Sequence, residues 1–443
     1  MGRGNKTGGG QKMKIAIIGA GVGGLSAGWD LVIEEHDVTI IEAASYVGGL
    51  AAGLKEAHWG WSVEHFYHHW FTSDDQMFGM LEELGLRDKV VVKQPKTVSY
   101  FNGKFYPLDS PLAALTFPGF TFFDMLRFGL VTAYLRYLTP WKPLEKHTAA
   151  EWIRRFYGQR LYDVLLQPLL FGKFGPHYQD VNMAWFWARF KARTTQLATF
   201  EGGFQAFADA FAAALQQRGV SIRLSSPVEQ ITQVEDGIEV RTMNGEAEIY
   251  DRVLATVSPG LLARMAPGLS EDYLQGLLSL KSMGAVVMIM TLKHKLSREG
   301  YYWFNLPKTA GFPYLALVEH TNFLSPEQFG GDHIIYCGDY LPAGHEYFDL
   351  SDEELLARFS PGLQRINPDF EPDWVKKCWV FKTSYAQPVP LVNHSRNIPA
   401  LNTPIPGLYF ASMSQVYPWD RGTNFAVQIG RQAARMMLSE MQP

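Results

Sequence analysis

The chain has 443 residues, 47% hydrophobic and 14% aromatic, long enough for two or three domains around sizeable cores. A formal net charge of −4 with no long run of one sign excludes an electrostatic case for nucleic-acid binding. The two cysteines, Cys337 and Cys378, exclude a disulfide framework, lack metal-ligand spacing and point to a reducing, cytoplasmic compartment.

Residues 1–12, MGRGNKTGGGQK, carry no apolar stretch of the secretory kind and read as a disordered leader. Lys14 to Gly53 then carries the strongest signal. An apolar run, Ile15 to Ile18, reads as a strand buried on both faces. It enters Gly19-Ala20-Gly21-Val22-Gly23-Gly24, a helical run from Leu25 to Glu35, and a second strand, Val38 to Ile41, that ends on Glu42. In this G-x-G-x-x-G turn Gly19 allows the tight bend, Gly21 admits a pyrophosphate, and Gly24 lets helix and strand pack closely. Glu42, eighteen residues after Gly24, is placed to accept ribose hydroxyls, and an acid there fits the unphosphorylated ribose of FAD or NAD.

Trp59–Asp74, WGWSVEHFYHHWFTSD, mixes aromatics with three histidines in HFYHH, and a short helix is expected from Gln76 to Leu84. Read as a strand, the segment puts His65, Tyr67 and His69 on one face, the candidates for a general base of near-neutral pKa or a hydrogen bond to a cofactor. Aromatic packing with satisfied imidazoles is the plain alternative. Thr97 to Tyr106 alternates around Asn102-Gly103 as a hairpin.

Residues 110–199 are helical, aromatic and punctuated by prolines. Phe123 to Leu138 is apolar nearly all round, and Arg127 and Arg136, nine apart, fall on opposite sides of a regular helix at ~100° per residue. That pattern favours a helix packed between layers over one that dips into a membrane beside a substrate entrance. No run reaches the ~18 uncharged apolar residues of a membrane span, so the chain reads as soluble or at most peripheral to a membrane through 110–140.

Phe204 to Gln217 is an amphipathic helix after Gly202-Gly203, followed by alternating strands from Val228 and a return strand at Arg252–Thr256. Apolar runs between 275 and 385 suit a second sheet. Gly407 to Ala411 is a short buried strand, and Asp420-Arg421-Gly422-Thr423-Asn424 leads into a final helix from Phe425 to Glu440, with Thr423 or Asn424 as its N-cap.

Glu42 followed by Gly48-Gly49 resembles the E-x5-G-G continuation of the FAD-dependent amine oxidase, protoporphyrinogen oxidase and phytoene desaturase superfamily. The element order from Met13 to Pro443 is similar too. The resemblance implies an α/β fold: a discontinuous, GR2-like Rossmann-type FAD-binding domain (13–95, 200–265, 390–443), a mixed-sheet substrate domain (96–109, 266–389) and a helical insertion (110–199). It implies non-covalent FAD held by Gly19, Gly21, Gly23, Gly24, Glu42, Gly48, Gly49, Val228, Asp420, Gly422, Thr423, Asn424 and Phe425. Asp420 stands in for the ribitol-binding acid that Ser412-Met413-Ser414 lacks, and Ala44 and Tyr46 replace the arginine often found after the acid. Trp419, Arg421, His320 and Asn322 are the expected substrate contacts, and Arg421 could equally be a structural partner of Asp420.

The implied activity is FAD-dependent oxidation of a small apolar substrate with a ring or polyene, by hydride transfer to flavin N5. The alternative is a non-redox flavoenzyme, since Val63–Thr72 somewhat resembles the histidine-bearing segment of UDP-galactopyranose mutase. That enzyme needs basic residues for a diphosphate, and no arginine set for it stands out along the sequence. The sequence leaves the oligomeric state open.

Overall fold

The computed structural model describes residues 12–108, 113 and 117–440. The expected leader therefore lies outside the described residues up to position 11, as does part of 110–140.

Five strands form an all-parallel sheet in the order Ser221–Arg223, Asp37–Ile41, Lys14–Ile18, Arg252–Ala255 and Leu408–Phe410. Alternation along its central strand assigns the two faces. Ile15 and Ile17 join Leu25, Trp29, Phe207, Phe211, Val427 and Ala433, so helices Val22–Ile33, Phe204–Gln217 and Thr423–Ser439 cover one side. Ala16 and Ile18 join Ile231, Val240 and Tyr250, placing the meander Val228–Val234, Gly237–Thr242 and Ala247–Tyr250 on the other. Burial on both sides is why this strand is a continuous apolar run.

The second sheet has seven strands, ordered Val375–Pro388, Ser282–Leu292, His333–Leu341, Ala316–Glu319, Trp303–Asn305, Thr97–Phe101 and Lys104–Pro107. The expected hairpin is its edge, with Asn102 (φ 47) and Gly103 (φ 84) in the left-handed conformation a two-residue turn requires. Along Ser282–Leu292, Val286, Met288 and Met290 face Leu355, Phe359 and Leu363 of helix Asp352–Ile366. Val287 and Ile289 face the opposite way, toward Tyr67, Val318 and Tyr336.

The helical layer is closed by Ile153, Tyr157, Leu161, Trp185, Phe186 and Trp187. Helix Phe122–Ala133, continued by a π-helical turn at Tyr134–Leu138, is not sandwiched between layers, contrary to the sequence reading. Phe122, Phe123, Leu126, Leu130, Tyr134, Tyr137 and Leu138 are all exposed. The switch to i→i+5 bonding also breaks the 100° count that separated the arginines. Arg127 donates to the carbonyls of Phe156 (2.6 Å) and Arg155 (2.7 Å), and Arg136 to that of Phe190 (3.1 Å), so both are tied to neighbouring helices, Arg127 at the surface and Arg136 half-buried.

Candidate functional site

The site has two ends and a floor. At the first end Gly19 (φ +104) turns the chain, and a Cβ on Gly24 would sit 2.0 Å from the Gly19 carbonyl oxygen, so only glycine permits that approach. Helix Val22–Ile33 starts at Gly21 with no side-chain cap and no acid in its first turn. Its first amides are left for an anion such as a pyrophosphate. The Glu42 carboxylate accepts from the amides of Ala20 (2.7 Å) and Ala44 (2.8 Å), which fixes it while leaving lone pairs for ribose hydroxyls. Gly48 donates to the Ala20 carbonyl (2.9 Å), and a Cβ on Gly49 (φ +58) would meet the Gly21 Cα at 3.1 Å. Ser226 donates to the Glu42 carbonyl (2.8 Å), bringing Val228, two residues on, to the same end. Gly23 has a packing part: a Cβ on Gly430 would lie 2.1 Å from the Gly23 carbonyl oxygen, so the first and last helices cross there.

At the second end, Gly422 and not Thr423 or Asn424 is the N-cap of helix Thr423–Ser439. Thr423 Oγ1 accepts from Trp70 Nε1 (2.8 Å) and Asn424 Oδ1 from the Met77 amide (3.0 Å). Both buried side chains therefore hold the helix start in place instead of capping it. With no side-chain cap and no acid in the first turn, its amides are free to stabilise negative charge on a reduced flavin's N1–C2=O2 edge. The two uncapped helix starts and Glu42 fit the FAD that the sequence resemblance implies. Phe425 stacks on Trp419 with centroids 5.6 Å apart, and Trp419 also meets Trp187 at 5.6 Å.

The histidine segment forms the floor. Val63–Glu64 and Trp70–Phe71 are short strands and the chain between them, which carries all three histidines, is irregular, so the expected alternation to His69 is broken. His65 leaves the group and stacks on Phe381 at 4.0 Å. Tyr67 and His69 do converge, on Trp303, at 4.9 and 6.4 Å. Burial lowers the imidazoles of His68 to about 4 and His69 to about 3, the latter also depressed by Arg193. His69 is thus a neutral hydrogen-bonding group rather than a base of near-neutral pKa, and its buried Nδ1 has no partner among the described residues. Just before it, buried Glu64 accepts from the Phe204 amide at 3.0 Å, and desolvation raises its carboxyl to about 7.

Beside Tyr67 lies a feature the sequence did not reveal. Asp420 accepts from Lys173 Nζ (2.7 Å), Arg189 (3.2 Å) and Trp185 Nε1 (3.1 Å), with Arg193 at 4.0 Å. Its carboxylate is filled by these donors and held well below the usual range despite burial, so it is not the ribitol ligand expected. Arg421 gives only its backbone amide to Asp420 (3.1 Å). Its guanidinium donates to Gln387 (3.0 Å) and the Tyr340 hydroxyl, and it forms no salt bridge with Asp420 or any other carboxylate among the described residues. Three cations, Lys173, Arg189 and Arg193, thus face one carboxylate, and the Arg421 guanidinium lies nearby without pairing with it. The legible signal was helical: Trp185, Arg189 and Arg193 recur every four residues on one face. Lys173 and Arg421, far apart in the chain, carried none.

His320 and Asn322 are not brought to this place. Asn322 donates to the Tyr301 carbonyl (2.7 Å) and to Ser297 (3.2 Å), a structural role. His320 is buried between Phe329 (5.4 Å) and Tyr336 (5.6 Å).

Residues 22–438 match the sequence profile of the family described as flavin containing amine oxidoreductase. The flavin-containing amine oxidase A of Bos taurus is 22% identical over 98% of this chain and 86% of its own length. A zeta-carotene desaturase of Solanum lycopersicum is 32% identical over 19% of the chain. Among solved structures, a putative protoporphyrinogen oxidase from Exiguobacterium superposes with a TM-score of 0.74 at 18% identity, covering 98% of this chain and 99% of the other. A reduced UDP-galactopyranose mutase reaches 0.76 at 16% identity, covering 98% and 97%. At such identities the structural likeness establishes the fold alone.

Proposed function

This chain belongs to the flavin-containing amine oxidoreductase family, and on that premise we propose that it oxidises a ring- or polyene-bearing substrate that also carries a carboxylate or phosphate. The observation behind this reading is the cluster of Lys173, Arg189 and Arg193 around Asp420, with the Arg421 guanidinium nearby and bonded to no carboxylate among the described residues. A largely buried excess of positive charge is costly without a partner, and it repels the ammonium group of an amine. An anionic group is its natural complement, and Arg guanidinium suits planar, bidentate binding of one.

FAD, held without a covalent bond between the two uncapped helix starts, would supply the redox chemistry by accepting a hydride at N5. The chain's residues position and shield. Arg421, held by Tyr340 and Gln387, orients the anion. Trp419, Tyr67 and Trp303 offer aromatic faces to the apolar body and exclude water. Neutral His69 offers a hydrogen bond through its free Nδ1.

The same cations would also suit a diphosphate, which keeps the non-redox alternative open. Anaerobic mixing separates the readings. Ring- or polyene-bearing carboxylates or phosphates should bleach the flavin, and Arg421→Met should raise their KM about tenfold or more while kcat moves less. Bleaching by primary amines alone would refute the proposal. Turnover of a UDP-sugar only after prior reduction would transfer it to the mutase-like reaction.

A further inference from the structure

Helix Phe122–Ala133 with its π-helical extension has an outer face that none of the described residues covers. Phe122, Leu126, Leu130, Tyr134 and Tyr137 follow one another at intervals of four, four, four and three residues, with Phe123 and Leu138 alongside. Phe123 is 77% exposed, Leu130 64% and Leu138 75%. A stripe of this size on a single helix marks an interaction surface.

The surrounding charge says what covers it. The helix's one acid, Asp124, is spent at its own N-terminus, accepting from the Thr121 amide (2.9 Å) and hydroxyl (2.7 Å). Arg127 and Arg136 are engaged by carbonyls of neighbouring helices. Three more cations flank it: Arg160, which donates to the Gly119 carbonyl (2.9 Å), Arg155, whose carbonyl receives Arg127 (2.7 Å), and Lys191, which donates to the Arg136 carbonyl (2.9 Å). Between 117 and 160 there are seven Lys or Arg and three Asp or Glu, a local excess of +4 on a chain of net −4.

We infer that this helix docks the protein onto an anionic lipid surface. It lies in the interfacial plane with the stripe among the acyl chains, the tyrosines at headgroup depth and the flanking cations against lipid phosphates. No helix among the described residues is long and apolar enough to cross a membrane, so the contact is peripheral. A second copy of the chain is a poorer occupant, because pairing the stripe with itself sets like charges against each other.

Full-length flavoprotein should co-sediment with phosphatidylcholine vesicles containing about a third phosphatidylglycerol, less with phosphatidylcholine alone, and less again in high salt. Phe123→Ser combined with Leu130→Ser and Leu138→Ser should lower partitioning about tenfold or more. Arg155→Glu with Lys191→Glu should remove most of the salt-sensitive part. Unchanged flavin absorbance per protein shows that each variant is folded. Wild type that fails to bind anionic vesicles overturns the inference. So does a wild-type dimer that the triple variant converts to monomer with no vesicle binding, which assigns the stripe to a second copy.

Discussion

Asp420→Asn is the sharpest probe of the cation cluster. The side chains of Lys173, Arg189 and Asp420 are 11, 13 and 19% exposed, so the carboxylate meets its partners largely out of water. Removing one member of a buried ion network costs about 3–5 kcal/mol, because the remaining charges are left unpaired. Lys173 sets a ceiling, since shedding its proton at pH 7 costs at most about (10.4 − 7) × 1.36, or roughly 5 kcal/mol. With roughly 2.1 cal/mol/K of unfolding entropy for each of 443 residues, 1 kcal/mol moves Tm by about 1 °C, so the variant should melt about 3–5 °C lower.

The pH sign follows from the groups. The depressed Asp420 carboxyl contributes stability at every pH above its unfolded value near 3.9, and loses it only in acid. Wild type therefore gains nothing more from Asp420 through neutrality. In the variant Lys173 loses the anion that keeps it charged, its folded pKa falls further, and the unfolded state binds more protons. The variant's stability thus climbs with pH, and the gap to wild type narrows above pH 7. Denaturant titrations of wild type, Asp420→Asn, Lys173→Met and the double variant at pH 6 and 9 measure this. The double variant should recover at least half of the loss. An Asp420→Asn protein within about 1 kcal/mol of wild type, or strictly additive single effects, would show that the cluster is not a coupled network.

Two further outcomes test other parts of the site. Gly24→Ala puts a methyl 2.0 Å from a backbone oxygen, so purified protein should lose most of its flavin absorbance; retention of full colour would contradict the tight turn. Glu64, with its carboxyl raised from 4.5 to about 7, contributes stability below its unfolded value that is lost as pH rises through 7. Glu64→Gln, which keeps an acceptor for the Phe204 amide, should be relatively more stable at pH 8 than at pH 5 by about 3 kcal/mol, read from chemical denaturation.

What the sequence determined by itself is the set of local backbone demands. The first strand had to be apolar on both faces because helices cover one and a meander the other. Gly19, Gly24 and Gly49 sit where positive φ or close approach leaves room for no side chain, and Glu42 stands at a distance set by one βαβ unit. Such constraints act over few residues and so show as spacing. Tertiary structure decided what depends on long-range approach. Asp420 met Lys173 and Arg189 from 247 and 231 positions away instead of a cofactor. Burial beside Arg193 turned His69 from an expected base into a neutral group. A helix apolar on every side became an exposed stripe, because both arginines were engaged by carbonyls on neighbouring helices and no layer among the described residues packs over its outer face. Side-chain charge and exposure are properties of the assembled surroundings, and no window of sequence contains them.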